Sequence, residues 1–164
     1  MSPKVDYPQK THPERLLVVE KLGDYKGKKI LDIGCGEHKS IPEAIGIDIL
    51  PITDVCCYGN NLPYEDKTVD AIISRHSLEH FLDTVKTLIE WKRVLKCGGK
   101  MIIVLPDHQR TDTMAIAMND GSHLHAFTVK SFENLIKLIP SLRIIETGLG
   151  IKGWSFYVVL EREE

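Results

Sequence analysis

A run of apolar residues with helix signals ahead of it first occurs in "THPERLLVVEKLG" (11–23). Thr11 is placed to cap a helix there, Pro13 suits the first turn, Glu14 three residues on completes a capping box, and Gly23 ends it. The ten residues before it are polar and expected to be loosely ordered. Four short runs then read as strands: "KKILDIG" (28–34), "AIGIDI" (44–49), "DVCCY" (54–58) and "VDAIISR" (69–75). After Asp83, a good N-cap, Val85, Leu88, Ile89 and Leu95 mark the face of a helix expected to end at Cys97-Gly98-Gly99. "KMIIVLP" (100–106) is continuously apolar, as a parallel strand buried on both faces should be. Thr128 caps a helix whose Phe132, Leu135, Ile136 and Ile139 keep a 3.6-residue period until Pro140 stops it. "LRIIETG" and "WSFYVVLERE" read as a final antiparallel pair. The pattern predicts an α/β chain with a mostly parallel layered sheet and a C-terminal antiparallel hairpin.

The connections add a constraint. Only eight residues (37–44) join the first two strands, and five (50–54) reach the third. A helical crossover between parallel strands needs about ten to twelve or more. The usual helices near the first three strands, including those after the second and third, are therefore expected to be shortened or absent. One sheet face would be under-covered near strands two and three. The helix at 11–23 is expected to cover part of it, with a second copy of the chain (a homodimer) or a partner subunit as the candidate for the rest.

Composition narrows the class of molecule. At 164 residues the chain reads as a single domain spanning 1–164. Its 43% hydrophobic and 27% charged residues are ordinary for a globular protein. A net charge of −2 argues against a surface built for phosphate backbones. The best apolar run, "MIIVL" (101–105), is far too short to span a bilayer, and the N-terminus lacks the apolar core of a secretion signal. The four cysteines have no pairing framework and read as reduced thiols, so a cytoplasmic location is expected.

In open parallel sheets, ligands bind beyond the carboxyl ends of the strands. The first such loop is "LDIGCGEHKS", where Gly34 and Gly36 let the backbone bend and approach a ligand. It lacks the third glycine of a dinucleotide fingerprint, with His38 in its place, and Asp32 precedes the glycines. An acid there repels an anion and welcomes a cationic ammonium or sulfonium compound. Asp48, ending the second strand, is placed to accept both hydroxyls of a ribose.

"ILDIGCG", "IGIDI", "NNLPYEDKTVDAIISRHSLEHF" and "WKRVLKCGGKMIIVLPD", in that order from Lys28 to Asp107, resemble successive motifs of the class I S-adenosylmethionine-dependent methyltransferases. The likeness is to the type 11 group, in a compact variant with short early connections, and "HAFTVKSFENLI" resembles its later segment. The resemblance implies a Rossmann-like sheet and S-adenosyl-L-methionine as cofactor. By it, Asp32, Gly34, Cys35 and Gly36 cradle the amino-acid part, Asp48 holds the ribose and Ile49 packs on the adenine. Asn60, Asn61 and Leu62 line the adenine edge, while Ser74, Arg75 and His76 sit beside the methionine end. The acid that the family often carries near Asn60 is here an asparagine.

"ISRHSLEHF" (73–81) contains His76-x-x-Glu79-His80, one spelling of a zinc peptidase. The segment begins at a strand end rather than inside a long helix, and Glu79-His80 matches the family's frequent "LEH", so no metal is expected. In-line methyl transfer from a sulfonium needs mainly alignment, but a hydroxyl or protonated amine acceptor also needs a base. His76, Asp107 and His108 are the candidates, with His123 and His125 in the polar connection 107–127 as a substrate cover. No N-P-P-Y or D-P-P-Y follows the fourth strand, which disfavours methylation of DNA bases. The expected acceptor is a small molecule or a glycan-type compound. The rival readings are a catalytically silent cofactor-binding subunit, a zinc hydrolase and an aminopropyl transferase.

Overall fold

A computed structural model describes residues 12–109 and 123–164. Seven strands form one sheet in the order β3-β2-β1-β4-β5-β7-β6. They are β1 (Ile30–Ile33), β2 (Ile45–Asp48), β3 (Val55–Cys56), β4 (Val69–Arg75), β5 (Leu95–Pro106), β6 (Leu142–Leu149) and β7 (Ser155–Arg162). The first five run parallel, and β7 lies antiparallel between β5 and β6. The order reverses at β1/β4, so the loops leaving β1, β2 and β4 converge on one crevice.

Side chains alternate cleanly between the two faces. Leu31, Ile33, Ile47, Ile72, Met101, Ile103, Phe156 and Val158 point to the larger core. It is closed by Leu88 and Trp91 of α2 (Thr84–Val94) and by Phe132 and Ile136 of α3 (Val129–Ile136). Ile30, Ile73, Ile102, Val104 and Val159 point the other way, under Val18 and Leu22 of α1 (Pro13–Leu22). No helix of the described residues is long and apolar enough to cross a membrane.

No helix joins β1 to β2, β2 to β3 or β3 to β4. The β1–β2 connection instead folds back over the sheet, and its Ile41 and Ala44 fill the face that α1 does not reach. Arg15 of α1 pins that connection by donating to the carbonyls of Lys39 (2.6 Å) and Ser40 (3.1 Å). The β3–β4 connection is tied to α2: Trp91 Nε1 donates to the Gly59 carbonyl at 2.7 Å, and the Leu62 amide donates to Glu90 at 2.8 Å.

Four local expectations need correction, one being the end of α3, which stops at Ile136 and not at Pro140. His12, not Thr11, occupies the N-cap of α1, and its Nδ1 accepts from the Glu14 amide at 3.3 Å; Thr11 lies outside the described residues. Glu14 does not close a capping box, because its carboxylate is engaged elsewhere in the fold. α2 ends at Val94 rather than at the glycines, because Leu95 already pairs with Val69 and starts β5.

Candidate functional site

The crevice at the carboxyl ends has two lobes that share Gly34 and His76. The first, about 320 Å³, is lined by Ile33, Ile47, Asp48, Ile49, Cys57, Tyr58 and Gly59, with Ser77, His80 and Phe81 opposite. The second, about 370 Å³, is lined by Asp32, Cys35, Gly36, Glu37, His38 and Arg75. Both lobes are largely apolar in surface, and the second differs in having Asp32, Glu37 and Arg75 on its wall.

Gly34 has φ +73°, and a Cβ there would stand 1.9 Å from Ser77 Oγ. The loop after β1 therefore passes directly against the segment leaving β4, and only glycine permits it. Asp48 Oδ2 accepts the Gly36 amide at 2.9 Å while Oδ1 accepts the Leu50 amide at 3.3 Å, which fixes the carboxylate at the junction. Asp32 is buried and accepts the Ser40 amide. Burial pushes its carboxyl up, while the Ser40 amide and the charges of Arg75 and Arg15 pull the other way. Arg75 Nε donates to Ser40 Oγ at 2.7 Å, and its Nη1 is buried without a partner at the second lobe. Burial, then the charges of Asp32 and Asp48, push the Cys35 thiol up to about 12, so it is no thiolate nucleophile.

Across the junction His76 sits at φ +49°, a conformation that costs energy for a non-glycine residue and places its ring at the strand exit. Its Nε2 lies 3.0 Å from both oxygens of Glu14, which is fully buried and also accepts from Ser155 Oγ at 2.5 Å. Burial by itself would raise the Glu14 carboxyl. The hydrogen bond and charge of His76 and the Ser155 hydroxyl outweigh it, and the net shift is downward. Sequence reasoning assigned Glu14 to a helix cap. Its partner lies 62 residues away, and no local pattern announces such a contact.

The crevice gathers Asp32, Gly34, Cys35, Gly36, Asp48, Ile49, Arg75 and His76. It does not take in every residue expected there. Asn60 and Asn61 are exposed beyond the lining, and Leu62 turns into the core, so Cys57, Tyr58 and Gly59 form that wall instead. Gly59 fits because a Cβ there would meet Ile33 at 2.6 Å and Phe81 at 2.8 Å. Ser74 is buried within β4. Asp107 and His108, expected beside the reacting atoms, line neither lobe. The Asp107 carboxylate accepts the Gln109 amide at 3.1 Å, and His108 is buried with its amide on the Phe127 carbonyl. His125 Nε2 lies 2.8 Å from the Phe81 carbonyl and stays outside the lining. Much of the expected cover, residues 110–122, lies outside the described residues.

The arrangement offers an apolar slot, the Asp48 carboxylate on its wall and bonded to Gly36 of the second lobe, and a second lobe edged by Asp32, Glu37 and Arg75. Those are the complements of a purine, a vicinal diol and an amino-acid carboxylate, so the residues present fit an S-adenosylmethionine-sized nucleoside.

A family model described as a methyltransferase domain matches residues 31–103. YafE of Escherichia coli is 33% identical over 107 residues, covering 59% of this chain and 52% of that protein. The O-methyltransferase cnsE of Penicillium expansum is 26% identical over 125 residues, covering 59% and 45%. The chain spans about half the length of these curated relatives. YcgJ from Bacillus subtilis superimposes with a TM-score of 0.75 at 16% identity, covering 93% of this chain and 99% of that one. A SAM-dependent methyltransferase from Aquifex aeolicus gives 0.73 at 18% identity, covering 94% of each. At such identities the structural likeness carries the fold.

Proposed function

We propose that the chain is a class I S-adenosylmethionine-dependent methyltransferase of the type 11-like group, a reading supported by the methyltransferase-domain match and the shared fold, and that its two-lobed crevice binds this cofactor and presents the methyl group at the junction. Asp48 takes the ribose hydroxyls. Ile49, Cys57 and Tyr58 hold the adenine, and Gly34 and Gly36 let the backbone come close. Arg75 Nη1 meets the cofactor's carboxylate, and Asp32 balances the ammonium and sulfonium charge. The cofactor supplies the electrophilic methyl; the chain supplies alignment, and in-line displacement asks for little more.

His76 is the base in this reading. Glu14, 3.0 Å from its Nε2, orients the ring. The acceptor is a small or glycan-type molecule bearing a hydroxyl or an amine. The polar wall of His76, Ser77 and His80 supports that reading, as does the O-methyltransferase among the relatives. A silent cofactor-binding subunit is the second reading, favoured by the missing helices around β1–β3. Transfer of label from the cofactor to a metabolite extract would exclude it.

The observation that carries the proposal is the Asp48 carboxylate, held by the Gly36 and Leu50 amides on the wall of the first lobe beside the Gly34–Gly36 bend. Calorimetric titration with S-adenosylmethionine and its demethylated product tests it. Micromolar-range binding is expected, weakened by about 1–3 kcal/mol in Asp48→Ala as hydrogen bonds to a charged group are lost. An Asp48→Ala protein that binds as tightly as the parent would sink the assignment.

A further inference from the structure

The H-x-x-E-H spelling is not used as a peptidase would use it, because His76 is held by Glu14. Glu79 Oε1 stands 4.0 Å from His76 Nδ1 and closer to His80 and a histidine far along the chain. His80 Nε2 and His123 Nε2 lie 3.8 and 3.9 Å from the same Glu79 oxygen. The two imidazoles pack edge to face with centroids 4.8 Å apart. One ligand atom from each of the three residues falls within 4.8 Å of the others. The cluster is held in place by the backbone: the Leu124 and His125 amides both donate to the Glu79 carbonyl, at 2.9 and 3.2 Å.

Two independent features point to a missing cation. The Glu79 side chain is fully buried, yet neither carboxylate oxygen has a hydrogen-bond partner. A carboxylate removed from water is normally paired, hydrogen-bonded or bound to a metal. His108 is also buried, with no partner for either ring nitrogen, and its ring stands edge-on to His123 at 5.9 Å. A fully buried acid without a hydrogen bond thus faces the imidazoles, and the buried His108 ring stands behind His123.

We propose that Glu79, His80 and His123 form a binding site for a first-row divalent transition ion of the zinc class, with His108 as an additional ligand from the interior. Imidazole with one carboxylate suits zinc and its neighbours, whereas calcium and magnesium prefer oxygen ligands. Around an ion with bonds of about 2.0–2.2 Å, tetrahedral ligands stand roughly 3.3 Å apart. The observed separations, 3.8 and 3.9 Å to Glu79 and within 4.8 Å overall, would shorten on binding. His80 also lines the first lobe and its side chain is 38% exposed, so the ion would be reached from the crevice. An oxygen or nitrogen of an entering acceptor is the natural exchangeable ligand.

The test is separate from methyl transfer, because metal binding is read without cofactor or acceptor. Tag-free full chain, stripped with a chelator, is titrated with zinc chloride. About one zinc per chain is expected, with affinity falling as histidines protonate at lower pH. His123→Ala and Glu79→Gln should each weaken binding by about 100-fold or more, since loss of mere supporting groups already costs 10–100-fold. Cobalt(II) should give visible ligand-field bands that vanish in His123→Ala. Cys56→Ala and Cys97→Ala, which remove the exposed thiols, should leave affinity unchanged. Should Glu79→Gln not fold, His80→Ala reads the same loss at a part-exposed position. Substoichiometric binding, binding untouched by His123→Ala and His80→Ala, or binding lost only with the cysteines would each overturn the proposal.

Discussion

The two sides of the crevice are built in opposite ways. The side leaving β1–β3 comes from one stretch of chain, Asp32 to Gly59, and its acids are satisfied locally: Asp48 by the Gly36 and Leu50 amides, Asp32 by the Ser40 amide. The side beyond β4 draws Glu14, His76, Glu79, His108 and His123 from distant segments. It leaves Glu79 and His108 buried without hydrogen-bond partners. A ligand common to many proteins can be held by backbone geometry and one carboxylate. The opposite side is assembled by tertiary packing, and there the Glu79 and His108 side chains keep ligand atoms without hydrogen bonds.

The contrast can be broken most forcefully at Gly34. Gly34→Ala places a methyl group against Ser77 Oγ and demands a positive φ of an L-residue. A loss of about 3 kcal/mol in urea unfolding is expected, with cofactor binding abolished. A variant of parental stability would show that the two sides do not lean on each other here. Glu14→Gln acts on the distant-segment side alone. About 2 kcal/mol should go at pH 7, since hydrogen bonds to a buried charge are weakened, and kcat should fall while cofactor affinity holds. Because the Glu14 carboxyl is held below its ordinary value, its contribution is full above the unfolded pKa of about 4.3. It is lost as pH falls through the lower folded value. The variant should therefore flatten the acid limb of stability against pH, and an unchanged acid limb would contradict the assignment.

Glu79→Gln should move stability the other way, by about 1 kcal/mol in favour of the variant in metal-free protein at pH 7. Burial raises the Glu79 carboxyl, partly offset by His76 and His80. The folded parent therefore binds more protons than the unfolded chain and loses stability as pH climbs from about 4.3 through the raised folded value. The gain should appear over that interval and vanish below it. A destabilised Glu79→Gln at neutral pH would mean that the carboxylate is already well paired in the unliganded protein.

How far the sequence was legible follows the same division. β4 runs from Val69 to Arg75 as its apolar pattern indicated, Asp83 caps α2 through the Lys86 amide, and Thr128 caps α3 reciprocally with Ser131. Each of these depends on neighbours within a few residues. The end of α2 was misplaced because Cys97-Gly98-Gly99 looks like a stop, whereas pairing of Leu95 with Val69 wins earlier. The first-strand loop and Asp48 could be placed on the crevice from motif and strand end alone. Asn60 could not, because whether a turn faces a cleft or water depends on Trp91 gripping the Gly59 carbonyl from α2. Glu14 and His123 were beyond reach for the same reason: each acquires its meaning from a partner on another layer. His76-x-x-Glu79-His80 shows the hazard in reverse, since its spacing does not announce that Glu14 and His123 join the three residues.

The docking of α1 has a practical corollary. A chain beginning at Leu16 would retain every strand and the whole cofactor loop, yet it would lack both the carboxylate beneath His76 and the Arg15 guanidinium bracing the 34–44 segment. Proteolytic nicking ahead of Val18, or a bulky fusion that drags the first turn outward, would thus leave a scaffold of normal outline with a slack imidazole. Inactivity after such handling would speak of the missing prop, and not of the chemistry of the intact molecule.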